Sequence, residues 1–127
     1  MSVLVDASAV LAVILGERGG AEIAGLLNGA RISAVNLSEI YRRLGDGEMP
    51  FDEILAVVAL LNLEVVMFGE RQAVETARLM ALTRHIGASF ADRACLALAL
   101  ESQLPVLTAD RRWSDLNLPI DIRQIRS

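Results

Sequence analysis

Residues 3–16 read VLVDASAVLAVILG, and this stretch decides the fold. Val3, Leu4 and Val5 are apolar without alternation, as in a strand buried on both faces of a parallel sheet. Asp6 is the first polar group after that run and marks the strand's carboxyl end. The segment ASAVLAVIL (7–15) then reads as a buried helix stopped by Gly16. A buried strand that passes at once into a buried helix is the opening of a βαβ unit.

The same alternation continues along the chain. A second helix is expected over 21–28, a strand over 30–35, and a helix over 36–44 opened by Asn36 and ended near Gly45-Asp46-Gly47. Phe51, Ile54, Leu55, Val58 and Leu61 have helical spacing, so 51–62 is predicted as an amphipathic helix with Pro50 near its start. LEVVMF (63–68) reads as a third strand. From Glu70 to His85, Ala73, Val74, Ala77, Met80 and Ala81 form one apolar face, closed by Gly87. SFADRACLALALE (89–101) continues as a buried helix to about Gln103, PVLT (105–108) is a fourth strand, and IDIRQI (120–125) a short fifth at an edge. Strands alternating with helices imply an open, parallel α/β sheet covered on both faces.

Composition bounds the rest. The 127 residues suit a single domain, 1–127, without a linker, and long enough to bury its own core. Acids and arginines interrupt every apolar stretch well before bilayer length, so a soluble protein is expected. The 54% hydrophobic content suggests self-association. MSVLVDASAVLAVIL has no basic start and reads as core, not as a signal peptide. The single Cys95 sits in an Ala/Leu helix as a small buried hydrophobe, consistent with a reducing cytoplasm. Net charge is −4, against non-specific nucleic-acid binding, yet all twelve basic residues are arginine. Arg42-Arg43 and Arg111-Arg112 lie beside acids and are candidates to approach phosphates, although arginines on helices are usually just solvated.

The acids carry the functional signal. Asp6 follows strand one, and Asp110 lies two residues past strand four. Open α/β sheets bind ligands outside the carboxyl ends of their strands. Ser89 and Asp92 have capping-box spacing, and so do Asn36 and Glu39 just after strand two. Four carboxylates at one rim repel one another unless protons or cations neutralise them. A divalent cation with oxygen ligands, Mg²⁺ or Mn²⁺, does so best; without histidine or cysteine clusters, zinc or Fe–S is disfavoured. Such a site suits phosphodiester hydrolysis. Singly, each acid is more often a structural cap, and only the constellation favours chemistry. Ser8 either supports that site or caps the following helix, and Thr108 either orients Asp110 or simply ends a strand. His85 is expected to have no catalytic role, Asp115 reads as a turn residue rather than a fifth acid, and Trp113 as a packing anchor.

At VLVDASA, ISAVNLSEIYRRL, SFADRACLALA and VLTADRRW, taken in this order and at these separations, the chain resembles the PIN-domain family, and within it the VapC-type toxins of toxin–antitoxin pairs. The resemblance implies a three-layer α/β/α sandwich with a central, mostly parallel sheet of four to five strands. It implies an acidic site at Asp6, Glu39, Asp92 and Asp110, supported by Ser8 and Thr108, with Mg²⁺ or Mn²⁺ bound there. Asp6, Asp92 and Asp110 would hold the ion directly or through water, and Glu39 would position the attacking water or a second ion. The implied activity is endoribonuclease cleavage of RNA. The implied partners are a second copy of the chain, as a homodimer or higher even oligomer built on helices of the N-terminal half, and a cognate VapB-type antitoxin. Phe90-Ala91 stand before Asp92 where the family commonly has glycine, which puts the start of that helix in question, and the segment Gly45–Pro50 is short. Two other classes fit the acids: a Mg²⁺-dependent phosphoacceptor or phosphatase of flavodoxin-like topology, which typically adds a lysine absent here, and a non-catalytic module that grips basic segments.

Overall fold

The computed structural model describes residues 2–126. Five parallel strands form one sheet: β1 (Leu4–Val5), β2 (Arg31–Ser33), β3 (Glu64–Val66), β4 (Val106–Thr108) and β5 (Ile122–Gln124), in the order β3-β2-β1-β4-β5. Leu4 registers with both Arg31 and Val106, so β1 is the central strand. The chain builds outward from β1 to β3, then returns to the opposite side of β1 to place β4. The strand order therefore reverses between β1 and β4, and their carboxyl ends flank the crevice where such sheets bind ligands. This order differs from the 2-1-3-4-5 of flavodoxin-like folds, which removes that topology from the readings above.

The helices are α1 (Ala7–Ile14), α2 (Gly20–Ile23), α3 (Ala34–Gly45), α4 (Phe51–Ala59), α5 (Glu70–Thr83) and α6 (Phe90–Ser102). Side chains alternate across the sheet and separate two cores. Val3, Val5, Ile32 and Leu107 pack with Val10, Leu11, Ile40, Ile54 and Val58 on one face. Leu4 and Val106 pack with Leu79, Leu96, Leu98 and Trp113 on the other. The result is the expected α/β/α arrangement. Cys95 is a free, buried thiol within the second core. Among the described residues no helix is long and apolar enough to cross a membrane.

Several local expectations need correction. The helix expected over 21–28 is only α2 followed by a tighter turn at Ala24–Leu26, because Gly25 interrupts a run already short. Helix α3 starts two residues before Asn36, since Ser33 at the end of β2 accepts the Val35 N–H at 3.2 Å and caps it first. Asn36 and Glu39 thus lie inside the helix and form no capping box. In α4 only Ile54 and Val58 are deeply buried, while Phe51 and Leu55 are exposed.

The largest departure is α5, whose buried face is Gln72, Thr76, Leu79 and Thr83, leaving Ala73, Val74, Ala77, Met80 and Ala81 outward. Helix α6 explains the inward turn of Gln72, because it offers polar partners at the contact. Gln72 donates to the Glu101 carboxylate at 3.1 Å, and the Arg93 guanidinium donates to the Thr76 carbonyl at 3.1 Å. The Gln72 amide takes the inward face where its N–H groups find an acceptor.

Candidate functional site

Asp6, Ser8, Glu39, Arg43, Gly87, Ser89, Asp92, Asp110 and Arg112 line one cavity of roughly 310 Å³. It opens at the carboxyl ends of β1 and β4.

Asp6 sits deepest, only 5% exposed. It caps α1, its Oδ1 accepting the Ala9 N–H at 3.0 Å and the Ser8 hydroxyl at 2.7 Å. Its Oδ2 accepts the Thr108 hydroxyl at 2.7 Å. Each hydroxyl has one proton, and each also accepts a backbone N–H: Ser8 Oγ from Ala109 at 2.9 Å, Thr108 Oγ1 from Asp110 at 3.0 Å. The cap of α1 is therefore Asp6 rather than Ser8, and Thr108 orients the Asp6 carboxyl directly and Asp110 through its backbone. Burial pushes the Asp6 carboxyl up to about 6, against the lowering pull of Ser8, Thr108 and the Ala9 amide.

Asp110 is fixed by the turn Arg111–Asp115 that it caps, and Gln124 of β5 donates to its carbonyl at 2.8 Å. Its Oδ1 accepts the Arg112 backbone N–H at 2.9 Å and the Arg112 Nε–H at 3.0 Å, and its Oδ2 accepts Nη2–H at 2.5 Å. This fork holds the Asp110 carboxyl below the usual range, the hydrogen bonds to Arg112 outweighing the effect of partial burial.

Asp92 is held by a complete capping box: Ser89 Oγ accepts the Asp92 N–H at 3.1 Å, and Asp92 Oδ2 accepts the Ser89 N–H at 3.0 Å. The start of α6 is thus well formed with Phe90-Ala91 in place of glycine. Asn36, buried in α3, donates to the Ala91 carbonyl at 3.1 Å and ties that first turn to the helix carrying Glu39. Asn36 is therefore a brace between helices and not a cap, a role that its cap-like spacing from Glu39 conceals in the sequence. Gln124 had no sequence signal, since its position depends on how β5 docks. The Glu39 carboxyl is raised by burial first and by Asp92 second, with Arg43 and Arg42 opposing.

The arginines divide. Arg43 lines the acid cavity, whereas Arg42 pairs with Asp46 at 3.4 Å and lines an adjoining groove with Ser38, Glu39 and Phe90. Arg111 is exposed and lies outside the lining of that cavity. Arg112 is engaged with the acids rather than free for a phosphate. Asp115 is exposed and also stands apart from the cavity; its carbonyl contacts His85 Nε2 at 3.1 Å.

The donors at the cavity are oxygens, which fits Mg²⁺ or Mn²⁺ and not a soft metal. Among the described residues no three carboxylates stand as a ready set around one ion. Asp6, Asp92 and Asp110, expected to hold an ion directly or through water, all line this cavity, where Arg112 pairs with Asp110 and approaches Asp92. A magnesium-type site does not need such a cage, since one or two direct carboxylates and several waters complete its shell.

Residues 3–118 match the PIN domain, and the chain belongs to that family. Its fold is similar to VapBC2 from Rickettsia felis bound to a DNA fragment from their promoter, with 14% identity, 98% of each chain covered and a TM-score of 0.75. It is likewise similar to DNA-bound VapBC from Salmonella typhimurium (20% identity, 98% of each chain, TM-score 0.75) and to a toxin–antitoxin complex from Klebsiella pneumoniae (13%, 98% of each chain, 0.75). A search of curated protein sequences finds no match.

Proposed function

We propose that this PIN domain is a metal-dependent endoribonuclease and the toxin of a toxin–antitoxin pair. The observation that carries the reading is the convergence of Asp6, Glu39, Asp92 and Asp110 on one cavity at the point where the strand order reverses. The similarity of fold to VapBC and toxin–antitoxin complexes supports the biological role. The proposed partner is a VapB-type antitoxin whose basic segment enters the acidic cavity; the proposed setting is the cytoplasm, as a homodimer or higher even oligomer.

A bound Mg²⁺ or Mn²⁺ supplies Lewis-acid stabilisation of charge on the phosphate and activates water. Asp92 and Asp110, on rigid caps at the rim, are the residues to hold it, with Asp6 beneath them. Glu39 is half-buried on the opposite helix, and its raised pKa makes its carboxylate a better proton acceptor toward an attacking water. Arg43 at the cavity wall is placed to meet the substrate's phosphate. Ser8 and Thr108 are positioning residues that fix the Asp6 carboxyl.

A module that only grips basic segments has no use for an acid as buried as Asp6, whose charge is costly to keep there. The deciding experiment incubates the purified protein with a mixed RNA pool, in Mg²⁺ or Mn²⁺ against chelator, beside Asp92→Asn. Cleavage should require the metal and vanish in the variant; cleavage that survives both chelator and substitution defeats the proposal.

A further inference from the structure

We propose that Arg112 is a built-in countercharge that closes the acidic cavity and has to leave it when a divalent cation binds. The inference rests on the metal-site reading above and concerns how this chain controls access to it. Arg112 Nε and Nη2 take both oxygens of Asp110, Nη2 lies 3.5 Å from Asp92 Oδ2, and Nη1 donates to the Ile86 carbonyl at 2.9 Å. One guanidinium therefore bridges the fourth strand's acid, the acid of α6 and the turn that precedes α6.

Three physical points follow. A carboxylate whose two oxygens lie in a guanidinium fork has committed the lone pairs that face the fork, so a cation that takes both oxygens from that side displaces it. The guanidinium also cancels part of the negative potential that draws a cation in, leaving four carboxylates against Arg112 and Arg43 around the cavity. Finally, the Arg112 side chain is 52% exposed, against 19% for Asp92 and 20% for Asp110, so it has a solvent route out while the acids stay in place. The plug is the movable member and the acids are the fixed ones. Metal affinity is therefore set by competition within the chain, and the closed state is the resting state of the metal-free protein.

Calorimetric titration of Mn²⁺ into the metal-free full chain tests this without RNA. Wild type is compared with Arg112→Gln, Arg112→Lys and, as a control outside the cavity lining, Arg123→Gln, which alters the exposed ion pair with Asp121 at the edge strand β5. Arg112→Gln should bind Mn²⁺ more tightly, on the order of tenfold for one charge-assisted fork relinquished. Arg112→Lys keeps the charge without the planar fork and should fall between; Arg123→Gln should match wild type. In chelator the thermal midpoint of Arg112→Gln should drop, and Mn²⁺ should raise it by more than it raises wild type. Equal or weaker Mn²⁺ binding by both Arg112 variants, each folded by circular dichroism, overturns the inference even if wild type cleaves RNA with metal. Absence of Mn²⁺ binding in all four proteins overturns the metal-site reading and this inference together.

Discussion

The Thr108 hydroxyl donates to Asp6 Oδ2 at 2.7 Å across 102 positions of sequence, joining the ends of β1 and β4 at the floor of the acidic cavity. With Ser8 and the Ala9 amide it gives this buried carboxylate at the end of β1 enough partners to remain, yet not enough to cancel burial, since the pKa still rises to about 6.

That imbalance predicts a stability gain from removing the charge. Below pH 3.8 Asp6 is protonated whether the chain is folded or not. Between 3.8 and about 6 the folded state keeps a proton that the unfolded state releases, so rising pH costs stability through this window. Above pH 6 the full cost, about 3 kcal/mol, is present. Asp6→Asn should therefore stabilise the metal-free protein at pH 8 by roughly 1–3 kcal/mol while abolishing cleavage, the trade-off expected of a functional acid. Urea unfolding in chelator at pH 4 and pH 8 checks it: the gain over wild type should appear only at the higher pH. Comparing variant with wild type cancels the opposite contribution of Asp110, whose lowered pKa stabilises the fold above the unfolded value and is lost as pH falls.

Thr108→Val tests the strand-end tie itself. It deprives Asp6 of a donor and the Asp110 amide of its acceptor in a fully buried position, at a cost of about 1–3 kcal/mol. Because the Thr108 hydroxyl lowers the Asp6 pKa, its loss should move the upper end of the pH–stability window to higher pH. Thr108→Ser, which retains the hydroxyl, should restore the window; a window unmoved in Thr108→Val would show that the tie does not act on Asp6.

The parts of this fold legible in sequence are those where one period dominates. VLV and the Ala/Leu run of α6 are buried on all sides and have one reading, and the Ser89–Asp92 box forms as its spacing predicts. The acids at strand ends were legible for a similar reason, since a strand's last apolar residue fixes where the rim begins. The inward face of α5 is not legible from apolar content, because the neighbouring helix supplies a partner for the Gln72 side chain and a donor to the Thr76 carbonyl. Asn36 was misread because two cap spacings overlap at the end of β2, and Ser33 acts first. The engagement of Arg112 with Asp92 depends on a contact between residues twenty apart in sequence, which no local pattern encodes.

The reciprocal box at Ser89 should serve both fold and site. Ser89→Ala removes the acceptor for the Asp92 N–H and should cost about 1 kcal/mol in thermal or chemical unfolding. The Asp92 side chain keeps its bond to the Ser89 amide but loses the geometry that pins it at the cavity rim. Metal-dependent cleavage should fall, whereas Ser89→Thr should retain it. Equal loss in both variants would mean that the cap has no part in placing Asp92.

A contrasting prediction concerns Gly20, far from the acids. A Cβ built there would overlap the Ala12 carbonyl oxygen and lie 2.9 Å from the Val13 nitrogen, so at this point α1 and α2 meet backbone to backbone. Backbone cannot yield as a side chain tip can, and Gly20→Ala should destabilise the protein by about 1–3 kcal/mol or more through forced separation of the two helices. Helix α1 is capped by Asp6 at its other end, and that cap is held independently by Thr108 from β4. The midpoint of chemical unfolding should therefore fall while Mn²⁺ affinity, measured well below that midpoint, stays at the wild-type value. A parallel loss of Mn²⁺ affinity would show that α1 transmits strain from its distal contact to the acidic cavity.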